Sequence, residues 1–500
     1  MLPFKTLIVL QDDRIVAVYQ QIANSFTALI QSGVIRPGTF LPSSRELAIL
    51  LEVHRQTIVA AYDELISQGW IESLPRKGIR VPADLPVIKP KSFYGKDRHT
   101  SYAGLAKFPF RTGIPGLRTS ASVVPGSSII VNDGFPDVGL APFDSMIKEY
   151  RRLMQGTQLT RLMAVPDFGG SHSLKNAAPA FLNDSRALNI SAENILITRG
   201  AQMAIYLAAA MILKPGDQVI VSDPGYYIAD AVFAQMGARL IKIPVDNEGM
   251  DVDEVERILK ETKISLLYVI PHHHHPTTVT MSSSRRTKLL ELIRTYQLPT
   301  IEDDYDYDFH YENSPVLPLA SANHDGNVIY IGSFTKLLAP SFRIGYLIAP
   351  SNFIDQAVNL KRLIDLRGDT MMEEALSVII TNGELSRHIK KTKKVYSRRC
   401  ELISELVNSK LNHAVDFIKP QGGLAIWLKF KKEYPVKEVI AAAAKAGVML
   451  TGSFYDGENG VNHNGLRFGF ASLNEKEMET VIEVLVKVIG EIKLKAARSV

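Results

Sequence analysis

Residues 41–72, LPSSRELAILLEVHRQTIVAAYDELISQGWIE, decide how the first part of this chain folds. Ser43 and Glu46 stand three apart ahead of the apolar residues Leu47 to Leu51. That is the pattern of a capping box, in which each side chain serves the other's backbone N–H at a helix start. Only Glu52-Val53 separates this helix from a second, HRQTIVAAYDELISQGW, which Gly69 closes. Upstream, VYQQIANSFTALI carries apolar residues at helical spacing and is ended by Gly33 and Pro37-Gly38. Downstream, IESLP and GIRVP read as two short strands around Arg76-Lys77-Gly78. Helix, helix, tight turn, helix and a two-stranded ribbon make an α+β winged helix-turn-helix over residues 1–82. A helical protein-interaction module is the bland alternative. Net charge over that segment is only +1, so basicity does not separate the two; the pattern does.

The whole chain has 500 residues, too many for one ordinary core, so two or three domains are expected. It is 46% hydrophobic, 22% charged and 8% aromatic, which excludes wholesale disorder, collagen-like repeats and coiled coil. A lone cysteine, Cys400, cannot close an internal disulfide and points to a reducing, cytoplasmic setting. The longest nearly unbroken apolar run, Ala204 to Leu213, is about half the ~20 residues a membrane span needs, so no membrane partner is expected. The opening MLPFKTLIVLQDD has a short apolar stretch without a small-residue cleavage site, so no signal peptide is expected. A net charge of +5 permits a nucleic-acid partner without demanding one.

Residues 83–127 lose the helical period and contain Pro86, Pro90, Pro109, Pro115 and Pro125. This reads as a linker. Lys89, Lys91, Lys96, Arg98, Lys107, Arg111 and Arg118 against Asp84 and Asp97 give it +5, equal to the whole chain. It is either a solvated, self-repelling spacer or a tether that also meets DNA phosphates. From 128 to 500, apolar β-branched runs alternate with helical patterns: NILIT (194–198), QVIVS (218–222), SLLYVI (265–270), TIEDD (300–304) and NVIYIG (327–332). Strands alternating with helices imply a mostly parallel sheet covered on both faces, an α/β domain.

Five islands in that region carry chemistry. Lys336 in SFTK (333–336) follows an apolar strand, with Arg343 seven residues on, and is a candidate for a Schiff base with an aldehyde cofactor. Taken alone it would read as a solvated surface lysine. Glu302-Asp303-Asp304-Tyr305 ends another strand; a carboxylate there can hold a protonated pyridine nitrogen, and the phenol the ring oxygen. The alternatives are a polar strand end or a metal site. Thr198-Arg199-Gly200-Ala201-Gln202 is a turn into a helix, and helix N-termini offer free N–H groups to phosphate. Asp223-Pro224-Gly225-Tyr226 places an aromatic ring at a strand's carboxyl end, the usual ligand crevice of open α/β sheets. Arg467 in LRFGF, on a probable strand, offers a fork to a carboxylate. Four histidines, 272–275, invite a metal. On an extended strand consecutive side chains alternate, so at most two could converge, and no metal is expected.

The first segment resembles the GntR-type DNA-binding domain along nearly its whole length. The resemblance implies that Arg45 of LPSSR contacts phosphate and that His54, Arg55, Gln56 and Thr57 open the recognition helix, with Ser44, Arg76 and Lys77 completing the DNA-binding set. His54 replaces a usual Ser, and Pro75-Arg76-Lys77-Gly78 replaces the usual wing tip. The five islands resemble the fold-type I pyridoxal-phosphate enzymes, the class I aminotransferases, over roughly 370 residues. That implies pyridoxal 5'-phosphate on Lys336, the catalytic lysine, with Asp303 on the pyridine nitrogen, Tyr305 at the ring oxygen and Tyr226 stacked on the ring. Ala201 and Gln202 amides, Ser333 and Arg343 would hold the phosphate, and Arg467 a ligand carboxylate. The family's Asn-Pro-(Thr/Ala)-Gly reads His275-Pro276-Thr277-Thr278 here, which puts His275 at the cofactor, and Met163 falls where many members have a tyrosine. The two parts together resemble the MocR/GabR-type regulators end to end, with a large subdomain at about 160–365 and a small one at about 366–500.

The resemblance implies a regulator that binds double-stranded operator DNA as a head-to-tail homodimer and senses a small amine or amino acid, or the cofactor itself, through Lys336. A half-reaction is compatible with this; efficient turnover is not expected. The alternative is a working aminotransferase carrying an accessory DNA-binding domain.

Overall fold

The computed structural model describes residues 2–11, 16–85, 109, 112, 129–155, 159–164, 167–311, 316–452, 454–455 and 463–498. They fall into two compact units that divide at residue 110. The expected linker, apart from 83–85, 109 and 112, lies outside the described residues, as does the Met163 side chain.

In the first unit, α1 (Phe4–Leu7), α2 (Val18–Gln31), α3 (Ser44–Leu51) and α4 (Arg55–Ser67) precede β1 (Glu72–Leu74) and β2 (Gly78–Arg80). The capping box forms: Ser43 Oγ accepts the Glu46 N–H at 3.3 Å, and Glu46 Oε2 accepts the Ser43 N–H at 2.8 Å. Glu52 ends α3 in the left-handed region at φ 57°, which turns the chain sharply into α4. The second helix starts one residue later than its pattern suggests. His54 is its cap, with Nδ1 accepting the Gln56 N–H at 3.3 Å. Ile22, Phe26, Leu47, Ile58 and Leu65 form a dry core, and the Tyr62 hydroxyl donates to Pro42 O at 2.8 Å, tying α4 to the turn before α3. β1 and β2 pair antiparallel, Ser73 opposite Ile79. Arg76 (φ 64°) and Gly78 (φ 103°) make the reversal; the second angle is open only to glycine at low cost.

The second unit begins with β3 (Ile129–Val131). Then β4 (Ile195–Thr198), β5 (Gln218–Asp223), β6 (Arg239–Asp246), β7 (Gly249–Met250), β8 (Leu266–Val269), β9 (Thr300–Asp304), β10 (Val328–Ser333) and β11 (Gly345–Ile348) build one sheet. Its order is β4-β11-β10-β9-β8-β5-β6-β7. All five strands expected from sequence are in it. β10, β9, β8, β5 and β6 run parallel, while β11 is antiparallel to both neighbours and β7 to β6. The reversal of β11 has a local cause. The connection from Ser333 to Gly345 contains no helix, and a parallel return needs a crossover of a dozen residues or more. Ile195 and Ile197 face one apolar cluster and Leu196 the other, so the sheet is covered on both sides.

β12 (Val415–Asp416), β13 (Ala425–Phe430), β15 (Phe454–Tyr455) and β16 (Gly465–Gly469) form an antiparallel sheet in the order β12-β13-β16-β15. β14 (Val448–Leu450) instead pairs in parallel with β3, so the opening strand of this unit is clamped by its C-terminal part. A buried ion pair, Arg186–Asp308 at 2.5 Å, and the Tyr330 hydroxyl anchor the helix His172–Arg186 to the sheet. No helix among the described residues is long and apolar enough to cross a membrane.

Candidate functional site

The first unit presents its charged residues to solvent. Arg45, His54, Arg55 and Gln56 are exposed, Ser44 and Thr57 half-buried, and Arg76 and Lys77 exposed at the β1–β2 turn. Arg55 Nε reaches Ser44 Oγ at 3.4 Å, which brings the starts of α3 and α4 side by side. The eight residues named from sequence thus lie at two helix starts and one turn of a single small unit.

In the second unit, the expected site residues gather where parallel strands end. Ser333 closes β10, Asp303 lies near the end of β9, Tyr226 follows β5, and Gly200-Ala201 follows β4. Lys336 sits in the turn after β10 and donates from Nζ to Gly134 O at 2.8 Å. The Phe135 ring lies 4.3 Å from Nζ and the Tyr305 ring 5.8 Å. Burial pushes the Lys336 amine down to about 8; Asp133 and Asp306 oppose that shift, and Arg467 and Arg343 add to it. A lysine so held is partly neutral near neutral pH, the form that attacks a carbonyl.

Asp303 is buried and accepts from the Tyr268 hydroxyl at 2.7 Å through Oδ2. Its Oδ1 is buried with no hydrogen-bond partner among the described residues. Burial raises this carboxyl to about 7. Tyr226 and His275 meet edge to face at 4.9 Å. His275 Nε2 lies 3.0 Å from Asp133 Oδ2, and His275 Nδ1 is the second buried atom here without a partner. Burial lowers the His275 pKa against the pull of Asp133, so the ring is neutral. With Nε2–H given to the carboxylate, Nδ1 can only accept, whereas an asparagine amide at that position could donate.

At the other end of the crevice, Gly200 (φ 79°) caps the helix Ala201–Ile212, whose first amides have no partner within the helix. A Cβ on Gly200 would lie 2.8 Å from Arg343 Nη2, so glycine is what lets the guanidinium approach the turn. Arg343 Nη2 donates to Arg199 O at 3.1 Å, and Ser333 Oγ accepts the Thr335 N–H at 3.1 Å. Helix amides, a hydroxyl and a guanidinium together suit a phosphate dianion.

Tyr305 donates to His273 O at 2.8 Å and accepts from Arg467 Nη2 at 3.0 Å. Arg467 is 1% exposed, with Nε on Asp133 O at 3.3 Å and Nη1 on Pro276 O at 3.2 Å. The histidines correct one expectation: residues 272–275 are a bend, with His273 at φ 43°, and not an extended strand. All four are buried, and each has its own neighbour: Asp304, Asp306, Ser222 with Thr277, and Asp133. No group of three metal-ligating side chains converges among the described residues. Of the three acids in TIEDD, Glu302 is structural and accepts the N–H groups of Leu319 and Ala320 at 2.8 Å each; Asp304 accepts from Tyr330 at 2.8 Å.

These residues fit pyridoxal phosphate. The orphaned Asp303 Oδ1 suits a ring N–H, the orphaned His275 Nδ1 marks a second unmet polar position, and the lysine and phosphate-type donors flank them. Sequence reasoning missed Asp133, Gly134, Phe135 and Tyr268. Tyr268 was legible as an aromatic on an apolar strand. The VNDGFP loop (131–136) carried no signal, because its partners are about 140 to 340 residues away.

The family described as aminotransferase class I and II matches residues 134–485, and the family described as bacterial regulatory proteins, gntR family, matches 18–81. The probable rhizopine catabolism regulatory protein MocR of Rhizobium meliloti is 26% identical over 490 residues, 96% of this chain and 95% of that protein. The uncharacterized HTH-type transcriptional regulator YisV of Bacillus subtilis is 29% identical over 477 residues, 94% of this chain and 95% of that one. Among solved structures, a Pyrococcus horikoshii kynurenine aminotransferase matches with a TM-score of 0.68 and 28% identity, covering 73% of this chain and 92% of the other. The chain therefore belongs to the class I and II aminotransferase family and, with a GntR-type winged helix-turn-helix ahead of that fold, to its MocR/GabR-type transcriptional regulators.

Proposed function

We propose that this protein binds operator DNA through α3, α4 and the β1–β2 turn, holds pyridoxal phosphate on Lys336, and changes its operator affinity when a small amine or amino acid, or the cofactor itself, occupies that site. One observation carries the reading. Lysine, a buried carboxylate with one oxygen unpartnered among the described residues, an aromatic face and phosphate-type donors converge in one crevice, while His275, which stands where the family has its asparagine, is tied to Asp133.

Pyridoxal phosphate supplies an aldehyde that condenses with amines and a ring that withdraws electrons. The protein does the rest. Asp303 Oδ1, buried and without a partner among the described residues, would take the ring N–H, and a positive partner there would bring its raised pKa down again. Tyr226 would lie against the ring, with His275 edge to face beside it, and the amides of Ala201 and Gln202, Ser333 and Arg343 would hold the phosphate. Arg467 lies at the same crevice, bonded to Asp133 O, Pro276 O and the Tyr305 hydroxyl. A histidine that can only accept weakens support for the ring oxygen, which favours a sensor over an efficient catalyst. In the DNA-binding unit, Arg45, Arg76 and Lys77 meet phosphates while His54, Arg55, Gln56 and Thr57 face the major groove. A ligand shifts operator affinity only by the difference in its affinity for two arrangements of the protein; moving 1:99 to 99:1 needs about 5.5 kcal/mol. The reading includes a head-to-tail homodimer and a cytoplasmic location, with which the single buried thiol Cys400 agrees.

A turnover assay separates this from the aminotransferase alternative. The cofactor-loaded chain, given an amino donor and a keto-acid acceptor, should transfer at most one amino group per site and should bind DNA from upstream of its own gene. Sustained cycling without DNA binding would overturn the proposal.

A further inference from the structure

Asp133 lies between the two groups that would grip an amino-acid ligand. It precedes Gly134, whose carbonyl accepts from Lys336 Nζ at 2.8 Å, and its own carbonyl accepts from Arg467 Nε at 3.3 Å. Its side chain points into the same gap, with Oδ2 on His275 Nε2 at 3.0 Å and Oδ1 3.9 Å from Arg467 Nε. Of the charges that counter the effect of burial on Lys336, the Asp133 carboxylate is the strongest.

The loop that carries it is pinned. Asn132 Oδ1 accepts the N–H groups of Gly134 at 3.0 Å and Phe135 at 2.8 Å, and Asn132 Nδ2 donates to Ser472 Oγ at 2.8 Å. Asn132 O accepts the Gly469 N–H at 2.9 Å, two residues after Arg467. β3, just before the loop, is paired along its length with β14. Gly134 has φ +86°, and a Cβ there would meet Ala425 Cβ at 3.2 Å and Arg467 Nη2 at 3.5 Å. The carboxylate is therefore part of the crevice wall and does not swing out as a free surface group would.

A primary amine that reaches Lys336 brings its α-substituents into the gap between the lysine and Arg467. An α-carboxylate would meet there a second carboxylate in a part-buried pocket, beside an arginine whose Nη1 and Nη2 each already give one N–H, to Pro276 O and the Tyr305 hydroxyl. Like charges at such range oppose binding, while the ammonium of an incoming amine is attracted. We infer that Asp133 fills the place of a ligand carboxylate beside Arg467, so that the site selects primary amines with no carboxylate on the amine-bearing carbon. This inference rests on the proposed reading that an amine occupies the Lys336 site, and it names the class of that amine.

The test uses the full-length chain saturated with pyridoxal phosphate and follows its visible absorption band. Matched pairs are titrated: L-alanine with ethylamine, L-phenylalanine with phenethylamine, L-leucine with 3-methylbutylamine. In the wild type, each amine should act at about tenfold lower concentration than its amino acid, or more; Asp133→Asn should lose that preference by gaining the amino acids. An amino acid acting ahead of its amine in the wild type, or an unchanged ratio in Asp133→Asn, would overturn the inference. Asp133→Ser serves if the amide variant does not hold cofactor, and the wild-type pairs decide by themselves. Operator affinity measured on the same samples keeps the two proposals apart. The expected ratio without an operator response defeats sensing and leaves Asp133 its role; an operator response with the inverted ratio does the reverse.

Discussion

Arg55 at the start of α4 and Arg467 in β16 are both arginines proposed to meet a ligand, but they are prepared differently. Arg55 is exposed, with a hydrogen bond to Ser44 at 3.4 Å. Arg467 is 1% exposed and has donors on Asp133, Pro276 and Tyr305. A solvated arginine meets a phosphate by releasing counterions, so its contribution is salt-dependent and graded. A buried arginine is already desolvated and held in place by its partners, so a ligand meets a fixed guanidinium with little counterion to release. The lesson extends to the units around them. The first unit carries its candidate DNA-contacting charges at two helix starts and a turn, whereas the second gathers its candidate cofactor residues from strands far apart in sequence.

That contrast can be broken from either side. The largest effect should come from Lys336→Ala: borohydride treatment of the cofactor-loaded chain should leave no mass adduct on the peptide containing position 336, while operator binding persists. An adduct elsewhere that still responds to amines would undo the crevice half of the comparison. Next, Asp308→Ala leaves Arg186 buried without its 2.5 Å partner and should cost about 3–5 kcal/mol of stability in urea unfolding of the second unit. A change under 1 kcal/mol would mean that the interior of the second unit tolerates unpaired buried charge much as the surface does.

On the DNA-facing side the effects should be smaller and graded. Arg55→Ala should lose about 1–3 kcal/mol of operator binding and relax preference at one base position, whereas Arg45→Ala should weaken all sequences alike and reduce the salt slope by about 0.9. Equal behaviour of the two would dissolve the division between groove reading and phosphate contact. Cofactor capture should rise about tenfold from pH 7 to pH 9 and then level off, because Lys336 at about 8 loses its proton as pH rises through that value and only the neutral amine attacks. A rise continuing past pH 10 would place the lysine in solvent. Ser43→Ala, which removes half the capping box, should cost about 1 kcal/mol in unfolding of the first unit.

The same contrast explains what the sequence disclosed. Ser43 and Glu46, three apart, were readable as a cap because the interaction is local, and both atoms of the box are in place. The five apolar runs were readable as strands because a strand buried on both faces needs β-branched residues throughout, and the alternation of Ile195, Leu196 and Ile197 between two clusters bears this out. The direction of β11 was not readable, since it depends on a connection lacking a helix. Lys336, Asp303, Tyr226 and Arg467 could be named because each sits at a strand end or alternates with apolar residues in its own segment. Asp133 could not: its significance comes from His275 and Arg467, which the chain brings to it only when β3 pairs with β14. The bend at 272–275 escaped for a like reason, each histidine being drawn to a different partner on a different strand or loop.

The most direct measurement is the affinity of the cofactor-loaded protein for DNA from upstream of its own gene, followed by fluorescence anisotropy as ethylamine is added, with wild type and Lys336→Ala side by side. A wild-type affinity that moves with the amine while the variant's stays flat is the expected result; superimposable titrations of the two proteins would contradict it.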